Sequence, residues 1–295
     1  MNMIEISRLT KDYGAGRGVF DLSFSIPKGE VFGFLGPNGA GKTTTIRHLM
    51  GFIRPQKGSL SIGGLDCWQK SSDIQKSLGY IPGEMAFLED MTGIGFLRFM
   101  AEYRGQKDFS RAEKLMTQFE LNPKGKLKKM SKGMKQKVGI ICAFMHDPEV
   151  LLLDEPTSGL DPLMQNRFID LILEEKQRGK TILMSSHLFE EVERTCDRVG
   201  ILKGGHLVAV EDAASLKAKK QRAYMVTLSD EEAAMAFAQE KLAVTGREKN
   251  RVTVTVRQDM QAFIQAMGRY PVTNIEVVEQ SLEEIFLHYY GGNGK

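Results

Sequence analysis

Between Gly36 and Thr43 the chain reads GPNGAGKT, with the apolar run VFGFL before it and TTIRHLMG after it. Gly36, Gly39 and Gly41 lack a Cβ, so a turn there can curl tightly enough to aim several peptide N–H groups inward, which makes a seat for an anion. A helix starting near Lys42 adds its unpaired N-terminal N–H groups and the positive end of its dipole. Lys42 is then placed to reach the outer phosphates of a nucleotide, and the Thr43 hydroxyl to ligate Mg²⁺. The spacing fits G-x-x-x-x-G-K-[ST] in the strand–turn–helix setting that this chemistry requires. Gly36, Pro37, Asn38, Gly39, Ala40, Gly41, Lys42, Thr43 and Thr44 are therefore expected to form a nucleotide phosphate site.

A second set of groups lies in VLLLDEP, which begins at Val150. An apolar strand ending in two acids puts Asp154 at the carboxyl edge of a sheet, where open α/β folds bind ligands and where the acid can hold Mg²⁺. Glu155, beside it, is suited to polarise a water for in-line attack on a γ-phosphate. Taken alone, such a pair is equally a surface acidic pair closing a strand.

These groups need a framework, and the sequence supplies one. MIEISRL, LSFSI, EVFGFL and SLSIGG read as early strands, with the helix TTTIRHLMGF between the last two. GIGFLRFMAEYR, SRAEKLMTQFEL and SKGMKQKVGIICAFMH carry apolar residues at three- and four-residue intervals and predict a helical subdomain over about 91–146. Strands return with EVLLLD, KTILMSS, RVGILKGG and HLVAV, and helices begin near Leu163 and His187. Short, wholly apolar strands between helices predict a buried parallel sheet, so the first domain is expected to be α/β over 1–216. The charged stretch KAKKQR, 217–222, reads as a linker. Residues 223–295 give the order β-α-β-β-α-β of ferredoxin-like domains, closed by an amphipathic helix in SLEEIFLHYYGG, capped at Ser281 and stopped at Gly291.

With 295 residues, the chain is long enough for one large domain and a smaller one. A formal net charge of +3 leaves a nearly balanced surface, which gives no case for a nucleic-acid partner. Cys67, Cys142 and Cys196 form neither a C-x-x-C nor an even framework, so no disulfide scaffold or zinc site is expected. The N-terminus has no apolar signal-peptide core. The longest apolar runs fall short of the roughly 18 to 20 residues that span a bilayer, so any membrane work is expected to need a separate spanning protein.

Four sequence marks together carry a resemblance: GPNGAGKT, then MSKGMKQKV, VLLLDEP with TSGLD directly after it, and MSSH. In this order the chain resembles the ATP-binding cassette (ABC) ATPases from about Met3 to Leu216. The resemblance implies a P-loop NTPase core that binds ATP and Mg²⁺ and hydrolyses ATP. Where the family's signature typically reads LSGGQRQRV, this chain keeps Ser131 and Gly133 but carries Lys132 and Met134 at two places. Ser131 would cap a helix facing the γ-phosphate of ATP held by an opposite subunit. The resemblance also makes His187 the switch histidine at the γ-phosphate, Asp161 the aspartate of the loop that crosses the dimer interface, and Tyr13 the aromatic that stacks on adenine. Family members usually carry a metal-binding glutamine after the strand and proline written here as GYIP. This chain has Gly83 and then Glu84, which makes Glu84 the candidate replacement.

One signature and one P-loop per chain imply a head-to-tail pair with a second ABC ATPase subunit, identical or a close relative. The resemblance further implies a separate polytopic permease, a place at the cytoplasmic face of the cell membrane, and ABC-2 type export of drugs or antibiotic peptides. Two alternatives stay open: an importer ATPase whose ferredoxin-like tail senses a ligand, and a soluble ABC ATPase with no transport role.

Overall fold

A computed structural model describes residues 1–186, 188–215, 222–256 and 260–279. The chain divides into two compact units, Met1–Ala213 and Ala214–Lys295. In the first unit the elements run β1 (Asn2–Asp12), β2 (Gly18–Pro27), β3 (Val31–Leu35), α1 (Lys42–Leu49), β4 (Lys57–Ile62), β5 (Leu65–Asp66), α2 (Ser71–Lys76), β6 (Leu78–Ile81) and α3 (Gly93–Tyr103). They continue with α4 (Ser110–Gln118), α5 (Lys132–Phe144), β7 (Val150–Asp154), α6 (Pro162–Gln177), β8 (Thr181–Ser186), α7 (Phe189–Thr195), β9 (Arg198–Lys203) and β10 (His206–Asp212).

The wholly apolar strands are the centre of the first unit. β3, β7 and β8 are buried at every position, as expected of strands covered on both faces. They belong to a six-stranded sheet of order β10-β9-β3-β8-β7-β6, parallel except for the hairpin partner β10. On one face, Val192 of α7 and Cys196 just after it close on Gly33, where an added Cβ would lie 2.8 Å from Val192 Cγ1. On the other face, Ile46 and Leu49 of α1 share a core with Phe34 and Leu152. The register pairs Leu35 with Ser186 and Asp154 with Ser185, so the carboxyl ends of the three central strands open at one level. A second, antiparallel sheet of order β2-β1-β4-β5 packs Ile4, Ile6, Leu22 and Leu60 into the same core.

The helices α3, α4 and α5 fill the middle of this unit. α3 begins at Thr92, whose hydroxyl accepts from Gly95 N–H, and α5 begins at Ser131, whose hydroxyl accepts from Met134 N–H. Both caps satisfy a donor that the helix itself leaves unpaired. Arg111 of α4 donates to the Phe144 carbonyl at the end of α5 and to buried Glu175 of α6, which anchors these helices to the sheet layer. Among the described residues, no helix is long and apolar enough to cross a membrane.

His146, just past α5, lies against the Leu78 carbonyl at 3.2 Å through Nε2. Burial first, and the neighbouring Arg104 charge second, push its pKa down to about 4. Its ordinary value is about 6.5, so between those two pH values the unfolded chain holds a proton that the folded chain does not. Stability is therefore complete above the upper value and declines as pH falls through this window. The urea midpoint should drop between pH 7 and pH 5, and less steeply in His146→Gln, which keeps a donor for the Leu78 carbonyl. Identical slopes for the two proteins would contradict this.

The second unit has its own core. It contains β11 (Arg222–Leu228), α8 (Glu231–Ala238), β12 (Ala243–Glu248), β13 (Arg251–Val256), α9 (Met260–Met267) and β14 (Val272–Glu279). The strands pair antiparallel in the order β12-β13-β11-β14. Val226, Leu228, Val252 and Val254 pack under Phe237 of α8 and Phe263 of α9. Asp230 caps α8 by accepting from Ala233 N–H at 2.8 Å. This is the split β-α-β arrangement expected from the alternation of the sequence. The expected closing helix in SLEEIFLHYYGG, residues 217–221 of the expected linker, and His187 lie outside the described residues.

Candidate functional site

At the carboxyl end of β3 the chain turns through Gly36 to Gly41 and enters α1. Gly41 takes φ +106°, and a Cβ on it would lie 2.6 Å from Val19 Cγ1. Only glycine meets both conditions without strain. The turn closes on itself through Ala40 N–H to the Pro37 carbonyl at 3.1 Å. Lys42 opens α1 and is 5% exposed. Its ammonium donates to the Gly36 carbonyl at 2.6 Å and reaches Glu155 Oε1 at 3.6 Å.

Tyr13, Arg17, Gly18, residues 37–44 and Glu155 line one cleft of about 270 Å³. The expected phosphate loop, the expected adenine-stacking tyrosine and one of the two expected acids thus share a single space. Tyr13 is 48% exposed, so its ring is open to a base, and Lys11 Nζ stands 5.6 Å from the ring centroid. Arg17 closes the turn after Tyr13, its N–H bonded to the Gly14 carbonyl. Nothing in its sequence setting distinguishes it from a solvated loop arginine, and only the fold brings it to the cleft.

The two acids at the end of β7 are set by β8. Ser185 Oγ donates to Asp154 Oδ1 at 2.6 Å, while Glu155 N–H points at both Ser185 Oγ and the Ser185 carbonyl, at 3.0 and 3.2 Å. Glu155 takes φ +47°, a left-handed conformation that a residue with a Cβ adopts at some cost and that is frequent at functional sites. The turn directs its side chain back over the phosphate loop, where it is 27% exposed. Asp154 is fully buried, and its Oδ2 has no hydrogen-bond partner among the described residues. An orphaned buried carboxylate oxygen carries a heavy desolvation cost unless a cation or water meets it. This carboxylate oxygen and the hydroxyl of Thr43, a residue of the cleft lining, are hard-oxygen donors of the kind that suits Mg²⁺.

Gly83 sits against that oxygen: a Cβ there would be 3.0 Å from Asp154 Oδ2. Glu84, one residue on, is exposed and is not among the residues lining the cleft.

Ser131, Gly133 and Asp161 occupy a different part of the same unit. Lys132 Nζ meets Ser158 Oγ at 3.0 Å, Gln136 Nε2 donates to the Pro156 carbonyl at 2.6 Å, and a Cβ on Gly133 would lie 2.8 Å from the Gly159 carbonyl. Gly133 is thus the residue that lets α5 approach the loop after Glu155. Asp161 caps α6 through Met164 N–H at 3.0 Å. None of these three residues lines the cleft around the phosphate loop. Sequence reasoning gives no role to Ser185, which holds the two acids, or to Arg17, which lines the cleft. For Ser185 a signal existed, since a hydroxyl beside a strand end can bond an acid on the neighbouring strand.

Comparison with known proteins bears on this geometry. Residues 19–158 match the family described as ABC transporter, and residues 213–290 match the C-terminal domain of DrrA1-3-like ATP-binding proteins. The bacitracin transport ATP-binding protein BcrA of Bacillus licheniformis is 32% identical, with 98% of each chain covered. The linearmycin resistance ATP-binding protein LnrL of Bacillus subtilis is 35% identical over 70% of this chain and 68% of that protein. Among solved structures, an ATP-binding subunit of an ABC transporter matches with a TM-score of 0.66 and 33% identity, covering 73% of this chain and 92% of that one. A dimeric ATP-binding cassette in a post-hydrolysis state with ADP and Pi matches with a TM-score of 0.66 at 21% identity, over 72% of this chain and 99% of that one, which speaks for the fold.

Proposed function

Because the chain belongs to the ABC transporter family, as an ATP-binding and ATP-hydrolysing subunit that uses ATP with Mg²⁺, we propose a role for each group around the cleft. Tyr13 stacks on the base, since it needs only an open π-face beside the phosphate loop. The N–H groups of residues 37–44 and the α1 terminus hold the phosphates, and Lys42 moves from the Gly36 carbonyl to a phosphate oxygen. Thr43 and Asp154 would hold Mg²⁺, which when bound supplies neutralising charge to the phosphates; Glu84, exposed beside Gly83, would act on it through water. Glu155 takes a proton from the attacking water, and His187 contacts the γ-phosphate.

The observation that carries the larger reading is that Ser131, Gly133 and Asp161 do not line the cleft of their own chain. A second copy, or a close relative, arranged head to tail would set its Ser131 cap and α5 terminus against the triphosphate and its Asp161 across the interface. ATP then bridges two faces, and hydrolysis removes the bridge. That stroke is delivered to a separate polytopic permease from the cytoplasmic face of the membrane. The likeness over nearly the whole chain to a bacitracin transport subunit, with the DrrA1-3-like tail, favours ABC-2 type export of antibiotic-like compounds over import. Residues 1–216 act as the nucleotide-binding domain and 223–295 as an accessory domain joined by 217–222.

With ATP and Mg²⁺, the slow Glu155→Gln variant should sediment at about twice the monomer mass of 33.0 kDa. Adding Ser131→Arg should return it to the monomer. A monomer at saturating ATP in the first variant would sink the shared-site reading. Reconstitution of the chain with its co-purified permease in vesicles, assayed for outward peptide transport, tests the direction.

A further inference from the structure

α7 carries a buried acid. Glu191 is 3% exposed, and both of its carboxylate oxygens accept a hydroxyl: Oε1 from Thr157 Oγ1, and Oε2 from Ser186 Oγ at 2.7 Å. A carboxylate withdrawn from water is kept only where such bonds hold it, and the same bonds then hold their donors. Each donor belongs to a different functional segment. Thr157, itself 4% exposed, lies two residues after Glu155 in the loop that runs on to Asp161. Ser186 ends β8 and directly precedes His187 in the sequence. Its Oγ also accepts from Leu188 N–H at 2.9 Å, so one hydroxyl is bonded on the far side of position 187. Thr195 Oγ1 donates to the Glu191 carbonyl at 2.6 Å, which fixes the turn of α7 that presents the acid.

The adjacent serine completes the lattice. Ser185 Oγ fixes Asp154, and Ser185 receives Glu155 N–H. The end of β8 therefore grips the β7 acids directly through Ser185 and grips the following loop indirectly through Ser186, Glu191 and Thr157. Resting on the role given above to Glu155, we propose that Glu191 is a positioning residue for ATP hydrolysis: its carboxylate ties the loop behind Glu155 to the end of β8 at Ser186, and so fixes where Glu155 stands over the phosphate loop. A displacement of about 1 Å in such a group is enough to slow chemistry by about 100-fold while leaving nucleotide affinity alone.

The test uses the full-length chain. Glu191→Ala should lower kcat by roughly 10- to 100-fold, with KM for ATP and the ATP dissociation constant within about twofold of the parent. Glu191→Gln, which keeps the shape and one acceptor oxygen, should recover most of that loss. Thr157→Val combined with Glu191→Ala should be no slower than Glu191→Ala alone, because the two act through one bond. Without nucleotide, amide exchange over residues 156–161 should be faster in Glu191→Ala than in Leu115→Ala, a core deletion in α4 that tests for simple destabilisation. An unchanged kcat, additive losses, or a kcat that merely follows the melting temperature as in Leu115→Ala would overturn the proposal. Glu155→Gln run in parallel separates the two readings. If it turns over normally, the role of Glu155 fails; if it is inactive while Glu191→Ala is normal, only the positioning role is lost.

Discussion

Glu155→Gln should slow ATP hydrolysis by about 10²- to 10⁴-fold, the usual worth of a positioned general base, and leave ATP binding intact or slightly tighter. Two observations set this expectation. First, the side chain projects into the cleft beside Lys42, with 3.6 Å between the charged groups. Its backbone is held at φ +47° by the bonds of its N–H to Ser185, which glutamine keeps. The variant therefore retains shape, loop and strand register, and loses the capacity to accept a proton together with its charge. Second, Glu155 is a negative charge facing the place where a triphosphate must sit. Removing it lessens repulsion and frees Lys42 from an ion pair, so affinity should not fall. Single-turnover hydrolysis and nucleotide titration separate the two quantities. A normal rate would remove Glu155 from the role of base, and a parallel loss of affinity and rate would make it a binding residue instead.

The features that could be read from the residue order are those in which local chemistry and tertiary role coincide. GPNGAGKT carries its own turn and helix start. Ser131 announces a helix as its cap, and α5 begins where it does for that reason; the cap that Asp161 gives α6 shows only in the fold. β3, β7 and β8 were legible as buried parallel strands because none of their positions is spared for water. The six-residue α2 and two-residue β5 are too short to show a period of their own. They form where neighbours complete them: Cys67 N–H, after β5, donates to the Leu60 carbonyl, and Arg104 of the α3 end reaches the carbonyls of Gln75 and Leu78 around the end of α2.

The site shows the same division. Which acids end β7 is plain from VLLLDEP, but the left-handed turn at Glu155 that sends its side chain over the loop depends on Ser185, 30 residues away. The arrival of Arg17 at the cleft depends on how the turn after β1 is folded back. Glu191 reads in sequence as one of several acids on an exposed amphipathic helix. Its burial follows from the packing of α7 on β3, through Val192 and Cys196 against Gly33, which turns the preceding residue inward toward Ser186 and Thr157.

Lys42→Ala should weaken ATP binding by roughly 10- to 150-fold, the equivalent of losing a hydrogen bond to a charged partner worth about 1.5–3 kcal/mol. Lys42 is only 5% exposed, and its ammonium is withdrawn from water and held by the Gly36 carbonyl and Glu155. Much of the cost of withdrawing that charge from water is therefore met by the fold itself. The exchange of a neutral carbonyl for an anionic phosphate oxygen is then a net gain. Alanine would also leave a gap beneath the loop, so Lys42→Met, of similar volume, isolates the charge: its affinity should fall nearly as far, while its melting temperature stays closer to the parent. In both variants the Gly36 carbonyl loses its ammonium donor and Glu155 its cation. The Glu155→Gln change should accordingly affect nucleotide affinity less in a Lys42→Met background than alone, since part of its effect there is the release of Lys42. Unchanged affinity in Lys42→Met, measured by direct titration, would show that the phosphates are held by the backbone turn and helix terminus without the ammonium.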